Sequence, residues 1–157
     1  MTEGSVHVED VTAHRARWPQ LVALLEDYRS HFGNQRDAER ATAWLTSQLG
    51  AHRLVSYVAT VEDGTHHHPV GMALVMPSPA ATSLGLFWSI RDLFVAEAHR
   101  RRGVATALLE KIRADADASG VGRLYVMTDA DNEAALALYR SYGFTSFHGQ
   151  QELVCVL

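Results

Sequence analysis

The sequence predicts an α/β (α+β) domain in which a mixed central sheet of about seven strands is flanked by four helices. Three observations predict it. Runs rich in β-branched residues and runs with helical periodicity follow one another in the order β-αα-βββ-α-β-α-β, with one further strand at the end. Each helical run closes at a glycine, at Gly33, Gly50, Gly120 and Gly143. A length of 157 residues with 47% hydrophobic content suits one domain, residues 1–157, with one sizeable core.

The elements follow in order. Val6, Val8 and Val11 mark a first strand within Ser5 to Val11. Trp18, Leu21, Leu25, Tyr28 and Phe32 recur at helical spacing between His14 and Phe32. Ala38, Ala41, Leu45 and Leu49 repeat the pattern and stop at Gly50. Leu54 to Val61 and Val70 to Met76 read as an antiparallel hairpin across a polar turn, Glu62 to Pro69. Pro77 to Gly85 reads as a loop, and Leu86 to Val95 as the next strand. Val104, Leu108, Ile112 and Ala116 line one face of a third helix. Leu124 to Thr128 is a strand, and Asp131 is placed to cap a last helix, Asn132 to Tyr142. Phe144 to Phe147 and Glu152 to Leu157 complete the sheet.

Composition removes several classes of function. A net charge of −4 and a pI near 6.1 provide no basic field for nucleic acid, because the arginines gather in one turn. No apolar run approaches the ~20 residues that span a bilayer, and the N-terminus lacks a signal pattern, so a cytoplasmic protein without a membrane partner is expected. The single cysteine, Cys155, excludes an intrachain disulfide and is expected to be buried in the last strand. His66, His67 and His68 are consecutive in a polar hairpin, which rarely aims three imidazoles at one ion, so no metal is expected.

The informative stretch runs from Ile90 to Phe144. In it a strand, Ile90 to Val95, leads through Arg100-Arg101-Arg102-Gly103-Val104-Ala105 into a helix. Such a turn offers free backbone N–H groups, the positive end of a helix dipole and arginine side chains to a phosphate. Gly103 lets the backbone approach the ligand and adopt whatever φ the turn requires. Neither GxGxxG nor GxxxxGK[ST] is present. By itself the stretch also reads as a structural strand-turn-helix with a solvated arginine cluster.

The pattern of Arg100, Gly103 and Ala105 resembles the pyrophosphate-binding signature (Arg/Gln)-x-x-Gly-x-(Gly/Ala) of the GNAT superfamily of N-acetyltransferases. Asn132-Glu133-Ala134-Ala135 through Leu138-Tyr139 to Gly143-Phe144 resembles its second signature, N-x-x-A-x-x-x-Y-x-x-x-G-F. The resemblance covers the last two-fifths of the chain closely and the first half in outline, and the element order is that of the GNAT acyltransferase fold.

It implies acetyl-CoA as co-substrate, with the pyrophosphate on the turn formed by Arg100, Arg101, Arg102, Gly103, Val104 and Ala105. Main-chain groups of Leu93, Phe94 and Val95, and the side chain of Asn132, would meet the pantetheine arm. Tyr139 becomes the general acid that protonates the coenzyme A thiolate; its bland alternative is core packing with a satisfied hydroxyl. Asp92 is the only acid on its strand, either the base that deprotonates the amine through water or a buried hydrogen-bond partner. Some relatives carry a glutamate one place earlier, where this chain has Arg91. Strand alternation groups Asp92 with Ile90 and Phe94, away from Arg91, Leu93 and Val95. Trp44, Phe87 and Trp88 are candidates for an amine pocket or for core.

The resulting expectation is an N-acetyltransferase moving an acetyl group to a primary amine of a small molecule by direct attack. The alternatives are a protein or peptide amine as acceptor, or a non-catalytic acyl-CoA sensor. The apolar strand expected at Glu152 to Leu157 must be covered or paired, which predicts a homodimer.

Overall fold

The structure is a computed structural model that describes residues 5–63, 66–147, 149 and 153–156. The chain divides into two compact units, residues 1–127 and 128–157.

The first unit holds β1 (Val6–Asp10), α1 (Trp18–His31), α2 (Ala38–Gly50), β2 (Val55–Asp63), β3 (His66–Ala80), β4 (Gly85–Val95), α3 (Val104–Ala118) and β5 (Arg123–Val126). The strands form one sheet in chain order, antiparallel from β1 to β4 and parallel between β4 and β5. Residues directly opposite one another share a face, so the register sorts the side chains. Val58, Met72, Leu74 and Phe94 pack with Leu21, Leu25, Leu45 and Leu49 of α1 and α2. The other face carries Gly71, where a Cβ would lie 3.0 Å from the Phe94 carbonyl oxygen, 3.0 Å from Val104 Cγ1 and 3.4 Å from Leu108 Cδ1. Helix α3 therefore sits directly on β3 and β4.

Local chemistry sets the helix bounds. Pro19 occupies the first turn of α1, where its missing N–H costs nothing, and the Trp18 indole donates to the Val11 carbonyl at 3.0 Å. Asp37 caps α2 by accepting from the Arg40 amide at 3.0 Å. Glu26 is buried but satisfied, accepting from the Arg29 guanidinium and from the Asp37 amide, which ties α1 to the start of α2.

The second unit contains α4 (Glu133–Ser141), capped by Asn132 rather than Asp131: the Asn132 Oδ1 accepts from the Ala135 amide at 3.2 Å. All four α-helices among the described residues end in the same six-residue motif, with a left-handed residue whose successor's amide reaches back to the last turn. That residue is Gly33 after α1, Gly120 after α3 and Gly143 after α4, but it is His52, at φ 53°, after α2. Gly50 is the last residue of α2 rather than its stop.

Several expectations are corrected. The sheet has five strands among the described residues, not about seven. Phe144 to Phe147 has no regular structure, nor has Leu153 to Val156; Glu152 and Leu157 lie outside the described residues. Cys155 is exposed rather than buried in a strand. Of the polar turn expected from Glu62 to Pro69, Glu62 and Asp63 belong to β2 and His66 to Pro69 to β3, while Gly64 and Thr65 lie outside the described residues. The three histidines are part of β3, so His66 and His68 stack at 6.2 Å while His67 lies 3.7 Å from Glu62.

Pro77 and Pro79 belong to β3, not to a loop. Pairing with β2 ends at Val75, so beyond it β3 has a neighbour on one side only. Two prolines of the same parity cost no ladder bond on the free side.

Candidate active site

In the first unit, β4 delivers the chain into the arginine turn. The Arg100 Nε donates to the Val95 carbonyl at 3.1 Å, so this side chain pins the turn to the end of β4. Arg101 and Gly103 both adopt left-handed backbone, at φ 64° and 77°. Gly103 is the N-cap of α3 with no side-chain hydrogen bond, and its α-carbon faces open space. Among the described residues no backbone carbonyl accepts from the amides of Arg101, Arg102, Gly103, Val104, Ala105 or Thr106. These are the orphan donors of a helix start, gathered where the dipole is positive, and an anionic diphosphate satisfies both. The Val104 side chain is buried beneath, so its contribution there is its amide.

The same strand has a free edge. Strand β5 pairs with β4 only from Phe87 to Ile90 and ends at Val126, leaving Arg91 to Val95 without a neighbour on that side among the described strands. Every other residue there offers its N–H and C=O to a ligand that pairs in extended form. Leu93, Phe94 and Val95 lie on this edge, with the Phe94 ring in the core, 5.8 Å from that of Tyr28.

A β-bulge interrupts β4 at Arg91, since Leu74 faces Asp92 whereas Val75 faces Ile90. It overturns the alternation expected from sequence. Asp92 stays with Phe94 on the α1–α2 side, but Ile90 joins Val75 on the α3 side, and Arg91 and Asp92 line one pocket instead of opposite faces. The pocket measures about 530 Å³ and has further walls from Trp44, Gln48, His52, Arg53 and Met76. That size suits a small ligand. Burial raises the Asp92 carboxyl above the ordinary carboxylate range, opposed by a hydrogen bond from the Tyr28 hydroxyl and by the nearby Arg91 charge. A larger pocket, about 680 Å³, lies between α1 and α2, and no residue of β4 lines it.

Of the three candidate aromatics, only Trp44 lines the Asp92 pocket. Trp88 is buried, and Phe87 packs edge-on against Tyr125 at 5.1 Å. Sequence reasoning missed Tyr28, His52 and Arg53. A Tyr at helical spacing reads as core, and only a backbone angle singles out His52. Among the described residues no group of three His, Cys, Asp or Glu side chains is placed to hold a metal ion, and no helix is long and apolar enough to cross a membrane.

In the second unit, Tyr139 is buried, 8% exposed, and its ring meets that of Phe144 at 5.6 Å. Burial raises its phenol pKa, so the proton is retained at neutral pH. The Asn132 carbonyl oxygen serves the helix, leaving its amide N–H₂ for any ligand.

The profile of the acetyltransferase (GNAT) family matches residues 18–144. The chain belongs to this family. It is 27% identical over 93 residues to a probable acetyltransferase of Haemophilus influenzae, a match that spans 59% of this chain and 62% of that protein. Among solved structures, a probable acetyltransferase superposes with a TM-score of 0.83 at 25% identity, covering 98% of this chain and 97% of the other. An aminoglycoside acetyltransferase from an uncultured soil metagenomic sample, solved with sisomicin, superposes with a TM-score of 0.75 at 19% identity over 97% and 96% of the two chains. At that identity the likeness is one of fold.

Proposed function

We propose that this GNAT-family protein transfers an acetyl group from acetyl-CoA to a primary amine of a small molecule. The observation that carries the reading is the array of unpaired amides from Arg101 to Thr106 at the start of α3, continuous with the free edge of β4. One is built for a diphosphate and the other for the amide-bearing pantetheine arm.

In this reading the turn residues Arg100 to Ala105 hold the pyrophosphate, with Arg100 acting through its grip on Val95. Along Leu93, Phe94 and Val95, the backbone groups that face away from β3 hold the arm, and one of these amides donates to the oxyanion that forms when the amine attacks the thioester carbon. Asn132 adds an N–H₂ contact to the arm. Asp92 takes the proton of the ammonium, directly or through a water, which leaves the neutral amine as nucleophile. The C–S bond then breaks, and Tyr139 gives its proton to the departing thiolate. The nitrogen sheds its remaining extra proton, which restores the Tyr139 hydroxyl through solvent, and it ends as an amide while coenzyme A leaves as the thiol.

Trp44 and Met76 beside Asp92 favour a small acceptor with an apolar part. The reading includes a homodimer, since Leu153, Val154 and Val156 are 87%, 88% and 90% exposed and pairing would cover them. Titration of coenzyme A into the protein, with an amine screen for thiol release from acetyl-CoA, tests the reading. Binding with turnover supports it, binding without turnover of any amine identifies an acyl-CoA sensor, and absence of binding overturns it.

A further inference from the structure

We infer that the pocket beside Asp92 selects an amine that carries its own anionic group, a carboxylate or a phosphate, over a polycation. The inference rests on the acetyltransferase reading and adds the charge of the acceptor to it.

The lining supplies the charges. Asp92 is the only carboxylate among the residues that form the pocket, whereas Arg53 and Arg91 are two guanidiniums. The Arg91 charge acts on Asp92, but among the described residues neither guanidinium lies within ion-pair distance of a carboxylate, so both keep planar donors for a ligand. One ammonium has one natural place, at Asp92. A second or third ammonium on the same acceptor would meet guanidinium instead, and like charge in a partly dry pocket is repulsive. An anion on the acceptor reverses that sign.

The end of α2 points the same way. Helix C-terminal carbonyls attract ammonium groups when they are free. Here those of Ser47, Gln48 and Leu49 accept from the amides of Ala51, Arg53 and His52, at 3.1, 3.0 and 3.1 Å. The motif closes the negative end of the helix and sends the chain through His52 into Arg53, on the pocket wall. It does so with a left-handed histidine where the three other helices use glycine. A non-glycine residue at such an angle costs free energy, and such costs concentrate where side chains serve a ligand. The bulge at Arg91 does the same for the facing wall, turning an arginine inward that regular pleating would send to the opposite face.

The test is equilibrium titration of the intact protein with matched amines: phenylalanine against 2-phenylethylamine, O-phosphoethanolamine against ethanolamine, and spermidine. The anionic member of at least one pair is expected to bind about 10-fold more tightly or better, as a charge-assisted hydrogen bond permits, and the two pairs separate carboxylate from phosphate. In an Arg53→Gln, Arg91→Gln double variant, with both changed side chains exposed and the fold checked by its thermal transition, that preference should vanish. Equal binding within each pair, tighter binding of spermidine, no binding of either anionic amine up to about 10 mM, or a preference that survives in the variant would each overturn the inference. Acetylation of spermidine in preference to the anionic amines would overturn it while leaving acetyl transfer intact. Preference for the anionic amines without any binding of coenzyme A would uphold the pocket and remove the acetyltransferase reading.

Discussion

The Phe144 ring lies 5.6 Å from that of Tyr139 with the planes 61° apart, and the Phe144 amide donates to the Tyr139 carbonyl at 3.1 Å. These contacts are the hydrophobic and backbone halves of a helix stop, with Gly143 as the left-handed residue between them. The second family signature is thus partly architecture. Its Tyr, Gly and Phe terminate α4, and what remains for chemistry at Tyr139 is the hydroxyl.

Tyr139→Phe keeps the ring and its contact with Phe144 and removes only the proton. Turnover should fall by ~10²–10⁴-fold while coenzyme A affinity and thermal stability barely change, because an interaction made only in the transition state acts on rate. Steady-state kinetics with a coenzyme A titration read both, and near-full turnover in the variant would remove the acid role.

Gly103→Val should weaken coenzyme A binding, since a β-branched residue resists φ 77° and puts methyl groups over the amide array. Gly120→Val is the matched control. Gly120 stands at φ 69° with equally open space, at the other end of α3. Both variants should lose ~1–2 kcal/mol of stability to backbone strain, and only the first should lose affinity. Equal affinity losses in calorimetry would refute the phosphate assignment.

Asp92 gives a pH signature. Burial raises its carboxyl pKa, so the folded state holds the proton more tightly than the unfolded one. Its contribution to stability is complete below the ordinary value of about 3.9 and is lost as pH rises through the window above it. Asp92→Asn should therefore gain stability relative to the natural chain as pH moves from acid to neutral. A base must be ionised to act, so the acid limb of kcat/KM should lie above the ordinary carboxylate range and disappear in the variant, with turnover down ~10²–10⁴-fold. An unchanged pH profile in Asp92→Asn would leave Asp92 as a hydrogen-bond partner of Tyr28 alone.

His52→Gly should stabilise the protein. Removing Cβ from φ 53° relieves roughly 1–2 kcal/mol of strain, offset by about 0.5–1 kcal/mol of added backbone freedom in the unfolded chain. A thermal transition raised by a few degrees is the expected result, and a lowered one would show that the imidazole makes stabilising contacts that outweigh its backbone.

The helices were legible because an apolar stripe at 3.6-residue spacing needs no knowledge of the partner: Leu21, Leu25, Leu45 and Leu49 all reach the core foreseen for them. The turn at Gly103 was legible because few residues tolerate its φ. Features set by pairing between distant segments were not. Whether Pro77 can sit in a strand depends on where β2 stops, and the faces of Ile90, Arg91 and Asp92 depend on one extra residue against Leu74 and Val75. The helix stop at His52 was hidden by Gly50, a better left-handed residue two places too early. The pocket escaped for the same reason, since Trp44, Arg53 and Asp92 are brought together by the bulge and by the end of α2.

Gly71 belongs to neither signature, yet its missing side chain fixes the standoff of α3 from the sheet, and with it the height of the amide array above β4. The motif Arg100 to Ala105 specifies hydrogen-bond donors; Gly71 specifies where they stand. A turn transplanted into another scaffold would carry the donors and leave the standoff behind. Even one methyl group at position 71 would wedge against Val104 and the Phe94 carbonyl, lifting the N-terminal end of the helix while every residue of the motif stayed in the sequence.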